Sequence, residues 1–231
     1  MKKKNVEVMD TTLRDGEQTS GMSFSANEKL TISKLLLEEL KIDRIEIASA
    51  RVSKGEFEAV KCITDWANTK KYLDKIEVLT FLDNGISIDW MEKSGAKTQN
   101  LLTKGSLNHL THQIKKKPDE YFKEIEKCIL FSKNKGITTN VYLEDWSNGM
   151  RKSEKYVFDY LDFLSTQPIK RILLPDTLGV LSPYETFSYF SKIIKKYPKN
   201  NFDFHAHNDY DLSVSNVIEA LRAGCHGLHL T

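Results

Sequence analysis

Eight short apolar runs rich in β-branched residues recur along the chain, and the segments between them repeat their apolar residues at helical spacing. The runs fall at residues 6–9, 44–47, 76–81, 98–102, 138–143, 171–174, 202–204 and 227–230. Leu30, Leu36, Leu37 and Leu40 mark one intervening helical face, and Phe57, Val60, Ile63 and Ala67 another. Strand–helix alternation without a composition break or a Pro/Gly/Ser-rich linker predicts one parallel α/β domain over residues 1–231. Eight strands, each followed by a helix, close as a (β/α)8 TIM barrel; a doubly wound open sheet is the competitor, and strand count decides between them. Ser25 with Glu28 and Ser182-Pro183 with Glu185 read as capping boxes that start helices. Gly95, Gly136 and Gly224 read as helix stops. The eighth run is followed only by Thr231, so the expectation is a barrel cut short after its eighth strand, where a typical one needs about 250 residues.

Composition narrows the classes of function. A 231-residue chain with 40% hydrophobic residues can build a sizeable core, yet it has no apolar run long enough to span a bilayer and no apolar leader. The 34 basic and 32 acidic side chains nearly cancel, which argues against nucleic acid as partner. Lys2-Lys3-Lys4 and Lys115-Lys116-Lys117 read as solvated faces. Cys62, Cys128 and Cys225 are scattered and odd in number, which fits a reducing cytoplasm better than a disulfide framework or a zinc knuckle.

The polar residues gather where barrel chemistry is done, at the C-terminal ends of the strands. Arg14 and Asp15 follow the first, Glu144 and Asp145 the fifth, Asp176 and Thr177 the sixth, and His205 and His207 the seventh. Two histidines at period-two spacing face the same way and can share one cation. Asp15 is expected beside them, because only strand eight separates strand seven from strand one in a closed barrel. Two imidazoles and one carboxylate suit a divalent ion, with Mn2+, Mg2+, Co2+ and Zn2+ all compatible. Arg14 at the inner end of a strand needs a partner: a carboxylate or oxyanion of a substrate, or a salt bridge to Glu46 or Asp15. Glu144 ends an apolar strand and reads as a general base, a supporting partner or a loop residue.

Residues 13–18 with Lys29, the stretch Phe202-Asp203-Phe204-His205-Ala206-His207-Asn208-Asp209, and Leu174-Pro175-Asp176-Thr177-Leu178-Gly179 together resemble the signatures of one family. It comprises the isopropylmalate, homocitrate and citramalate synthases of the metallolyase barrel superfamily. Asp211 departs from the second signature, which more often carries glycine there. Asn100-Leu101-Leu102-Thr103-Lys104-Gly105-Ser106 and residues 141–149 resemble the (R)-citramalate branch. The resemblance implies a transferase of branched-chain amino-acid biosynthesis that condenses acetyl-CoA with pyruvate. It implies Asp15, His205 and His207 as metal ligands, Arg14 and Glu144 as catalytic residues, Leu79, Leu102 and Tyr142 as the wall facing the oxo acid's side chain, and Thr177 on its carboxylate. It also implies a homodimer in the full-length relatives, and an asparagine ligand and distal regulatory domain beyond the eighth strand. Isopropylmalate or homocitrate synthesis, an acyl-CoA lyase of the same superfamily, and an incompetent fragment are the alternatives.

Overall fold

The computed structural model describes residues 6–231, so the Lys2-Lys3-Lys4 run lies outside the described residues. Eight parallel strands close in sequence order, β1 (Glu7–Asp10), β2 (Arg44–Ser49), β3 (Ile76–Thr80), β4 (Thr98–Lys104), β5 (Thr138–Glu144), β6 (Arg171–Asp176), β7 (Phe202–Ala206) and β8 (Gly227–Leu230), with β8 paired to both β7 and β1. Helices α1 (Ala26–Lys34), α2 (Lys54–Lys70) and α3 (Ile86–Ser94) follow the first three strands. Two helices follow β4, α4 (Leu107–His109) and α5 (Pro118–Asn134), and two follow β5, α6 (Trp146–Lys152) and α7 (Glu154–Leu164). α8 (Pro183–Lys196) and α9 (Ser213–Ala223) follow β6 and β7. The (β/α)8 architecture expected from the strand count is therefore present.

Six strands run one or two residues past the C-terminal ends of their apolar runs. β4 and β5 continue to Lys104 and Glu144, and β6 and β7 to Asp176 and Ala206. Ladder hydrogen bonds persist there while the side chains leave the core for the mouth, so hydrophobicity alone ends each strand too early. Both capping boxes form: Glu28 N donates to Ser25 Oγ at 3.3 Å, Glu185 N to Ser182 Oγ at 3.3 Å, and each glutamate returns the contact to the cap backbone. Gly95, Gly136 and Gly224 carry φ values of 83°, 67° and 102°. Leu40, expected on the buried face of the first helix, is exposed, because α1 widens into a π turn over Leu35–Glu39 and shifts the phase of that face. Lys115 and Lys117 are exposed, and Lys116 pairs with Glu124 at 2.5 Å.

Most of the core lies between barrel and helices, where Ile45, Ile47, Val78, Val141, Leu143, Ile172 and Phe204 meet the inner faces of the helices. The barrel interior holds a small apolar plug of Met9, Leu79, Tyr142 and Leu173, with a polar layer on either side of it. All three cysteines are free, and no described helix is long and apolar enough to cross a membrane.

Candidate functional site

β1 ends at Asp10 and the chain turns at once, with the amides of Arg14 and Asp15 both donating to Thr11 O, at 3.0 and 2.7 Å. This turn sets Arg14 and Asp15 over the mouth. Lys29, fully buried on α1, pins it by donating to Leu13 O at 3.0 Å and Ile47 O at 3.3 Å. The same ammonium pairs with Glu17 and Glu56, each at 2.6 Å, which compensates the charge in a site closed to water.

His205 on β7 and His207 just beyond it face the same side, as their spacing predicts, with Nε2 atoms 3.2 Å apart. His205 Nε2 lies 3.4 Å from Asp15 Oδ2, and the donor atoms of Asp15, His205 and His207 all fall within 4.8 Å of one another. Burial pushes the Asp15 carboxyl up, but the His205 hydrogen bond and the Arg14 charge outweigh it, and the net shift is well below the usual range. Burial and the neighbouring His205 lower the His207 pKa. An anionic oxygen and imidazole nitrogens converging on one point suit a divalent cation, which needs deprotonated donors.

Both salt bridges open to Arg14 are made. Its Nε donates to Glu46 Oε2 at 2.5 Å and its Nη1 to Asp15 Oδ1 at 2.6 Å, while Nη2 has no acceptor among the described residues. Glu46 is fully buried and also accepts from Asn100 Nδ2 at 2.7 Å, so the guanidinium is fixed from behind. Burial alone would lower the Arg14 pKa; Glu46, then Tyr142 and Asp15, reverse the direction and keep the charge.

Leu79, Leu102 and Tyr142 come from successive strands, with Leu102 directly opposite Tyr142 in the β4–β5 ladder. They share one cavity of about 220 Å³ with Arg14, Asp15, Glu144, Thr177, His205 and His207, so all nine expected site residues line it. Thr177 Oγ1 accepts from Asp145 N at 2.9 Å, which leaves its own proton free to donate. Glu144 is a quarter exposed and ion-paired with Lys104.

Asp145 and Asp176 stand at strand ends but hold loops. Asp145 accepts from Ser106 Oγ at 2.6 Å and Asn148 Nδ2 at 2.8 Å, and the fully buried Asp176 from Leu181 N at 2.9 Å. Gly179, in the same loop, has φ 57°, and a Cβ there would meet the Asp209 amide nitrogen at 2.7 Å. The sixth and seventh loops can approach this closely only at glycine.

His229 on β8 and Lys104 on β4 belong to the site although no role was read for them in the sequence. His229 Nδ1 lies 3.1 Å from the Tyr142 hydroxyl and 3.3 Å from His205 Nδ1. Burial pushes its pKa down to about 3, against the pull of Asp203. The available signal was a polar residue inside an apolar strand at the spacing that faces the barrel interior, which also marks Glu46 on β2.

The family model described as HMGL-like matches residues 5–231. The chain is 31% identical over 230 residues to the 2-isopropylmalate synthase of Sulfolobus acidocaldarius, covering 99% of this chain and 57% of that protein. It is 30% identical over 226 residues to the (R)-citramalate synthase of Methanocaldococcus jannaschii, covering 98% and 44%. It thus spans about half the length of the curated relatives it matches. Among solved structures, the HMG-CoA lyase of Brucella melitensis is similar in fold, with TM-score 0.76 and 17% identity over 99% of this chain and 81% of that one. The carboxyl transferase domain of Rhizobium etli pyruvate carboxylase, solved with pyruvate and biocytin, has TM-score 0.72 and 16% identity over 99% and 40%.

Proposed function

The chain belongs to the HMGL-like family, and we propose that residues 1–231 form the catalytic barrel of an enzyme that condenses acetyl-CoA with pyruvate to give (R)-citramalate and CoA. The observation that carries this reading is the single cavity where Arg14, the Asp15–His205–His207 cluster, Thr177 and Glu144 face a wall of Leu79, Leu102 and Tyr142.

A divalent cation held by Asp15, His205 and His207 would polarise the keto oxygen of the 2-oxo acid as a Lewis acid. Thr177 donates its hydroxyl proton to the substrate carboxylate. Arg14, clamped by Glu46 and Asp15, presents Nη2 to the keto oxygen as negative charge develops there, a donor that needs no rearrangement during the step. Glu144, steadied by Lys104, takes a proton from the acetyl methyl group. The carbanion carbon bonds to the keto carbon as its C–O π bond breaks, the oxygen takes up the proton held by Glu144 and becomes a hydroxyl, and water then cleaves the thioester to carboxylate and CoA thiol.

Pyruvate is favoured as acceptor because the wall is built of two leucines and a tyrosine, bulky side chains that suit a substrate whose own side chain is only a methyl group. A second acceptor, 2-oxoisovalerate, is favoured by the similarity to the Sulfolobus 2-isopropylmalate synthase. Free CoA thiol is measured with acetyl-CoA, Mn2+ and each oxo acid in turn, before and after chelator. The expected result is chelator-sensitive release that is fastest with pyruvate. Faster release with 2-oxoisovalerate would move the acceptor to that acid, and silence with every oxo acid from a folded, Mn2+-binding protein would contradict condensation.

A further inference from the structure

We propose that His229 is a positioning residue for the metal centre: it accepts the Nδ1 proton of His205 and so aims a bare His205 Nε2 at the cation. The inference rests on the reading of Asp15, His205 and His207 as ligands, and it concerns the residue behind them.

The geometry assigns the protons. His229 is buried between two groups, with Nδ1 3.3 Å from His205 Nδ1 and Nε2 3.6 Å from Asp203 Oδ2. An Nδ1···Nδ1 contact of that length holds one proton, so one ring donates and the other accepts. His229 Nε2 makes no hydrogen bond, but the negative charge of Asp203, 3.6 Å from it, favours the His229 proton on that nitrogen, which makes Nδ1 the acceptor. His205 is then the donor, and its other nitrogen carries a lone pair. That nitrogen is the one 3.2 Å from His207 Nε2 and 3.4 Å from Asp15 Oδ2.

Tyr142 holds the arrangement from the side. Its ring stands edge-on to both imidazoles, at 87° to His205 and 86° to His229, and its hydroxyl reaches the same His229 Nδ1 at 3.1 Å. A histidine ligand commonly donates its second nitrogen straight to a carboxylate or carbonyl, which orients the ring and fixes the tautomer. Here an imidazole is interposed between ligand and carboxylate. The series Asp203, His229, His205 therefore links the buried ions of the barrel floor to the mouth.

The test is Mn2+ affinity of the 231-residue chain by the electron paramagnetic resonance of free Mn2+, for wild type, His229→Leu and His229→Asn. Asparagine keeps an acceptor oxygen near the position of Nδ1, and leucine removes it. The expected result is an affinity about 10- to 100-fold weaker for His229→Leu, with His229→Asn restored close to wild type although both variants lose similar thermal stability. Wild-type affinity in His229→Leu, or equal weakening in both variants, would overturn the proposal. Should His229→Leu not fold, long-range 1H–15N spectra of the wild type decide: a His229 proton on Nε2 supports the assignment, and one on Nδ1 overturns it. No Mn2+ binding by folded wild type would remove the metal site and this role together. Binding without thiol release would sink the condensation reading and leave this one standing.

Discussion

The barrel interior buries charge at both ends, and the two ends differ in what they leave uncommitted. On the floor, Arg44 meets Glu77 at 3.0 Å, Glu7 at 3.2 Å and Asp203, while Arg171 meets Asp203 at 2.9 Å and also pairs with Glu7. Every charge there has an opposite charge in contact, and the apolar plug above separates it from the cavity. At the mouth, Arg14 keeps Nη2 without a protein acceptor, and two imidazole nitrogens face each other across 3.2 Å beside a carboxylate. Burial of charge is common to both ends, and so is some spare capacity, since Glu77 Oε2 and Arg171 Nε on the floor lack a hydrogen-bond partner. What distinguishes the site is that its spare donors and acceptors line a cavity.

The largest expected effect tests that contrast directly. Asp203→Asn removes the carboxylate shared by two buried arginines and should cost about 3–5 kcal/mol in urea unfolding. Asp15→Asn should cost no more than about 1 kcal/mol, because Arg14 keeps Glu46, yet abolish Mn2+ binding. Equal costs at the two ends would break the comparison. Arg14→Lys sharpens it at the mouth: a compact ammonium lacks the planar fork that lets Nε and Nη1 hold Glu46 and Asp15 while Nη2 is aimed into the cavity. Its kcat should fall by about 10²- to 10³-fold with little change in unfolding temperature. An unchanged rate would take Arg14 out of the chemistry.

An ion pair outside the barrel supplies the reference for both ends. The hydrogen bond from Arg151 pulls the Glu185 pKa down to about 2, against some desolvation, from an ordinary value of 4.5. A folded pKa below the unfolded one gives stability that is fully present above 4.5 and is lost as pH falls toward 2. Glu185→Gln should flatten the pH dependence of stability in that window by about 1 kcal/mol, discounted because the pair is partly solvated. A steeper loss in the variant would reverse the sign of this argument. The smallest effect is expected at Asp211, in the loop that carries His207. Its φ of 57° lies in the left-handed region, where aspartate is tolerated and glycine is free. Asp211→Gly should stabilise the chain by less than about 1 kcal/mol in urea unfolding, and a clear destabilisation would mean that its contact with Asn208 matters more than the backbone.

The architecture was legible because strand and helix periods differ, and the mouth residues because they are polar at the ends of apolar strands. Asp211 was legible in part: it departs from the glycine of the resembling signature, and the backbone there has the conformation that glycine suits. The floor was not legible. Arg44, Glu77, Arg171 and Asp203 lie within the strand runs, and nothing local shows that four strands bring them to one layer. His229 carried a local signal, a polar residue inside an apolar strand, but not its role, since its partners come from β5 and β7. Pairing across a closed barrel is a tertiary fact that a one-dimensional pattern does not carry. The exposure of Leu40 has a different cause, a π turn that alters helical phase without a residue type that announces it.

The central claim, that the open valence of the mouth belongs to a divalent cation, is tested most directly by calorimetric titration of Mn2+ into the chelator-treated 231-residue chain and its Asp15→Asn variant. The account predicts one ion bound per wild-type chain and none by the variant. No binding by folded wild-type protein, or indistinguishable binding by the two, would contradict it.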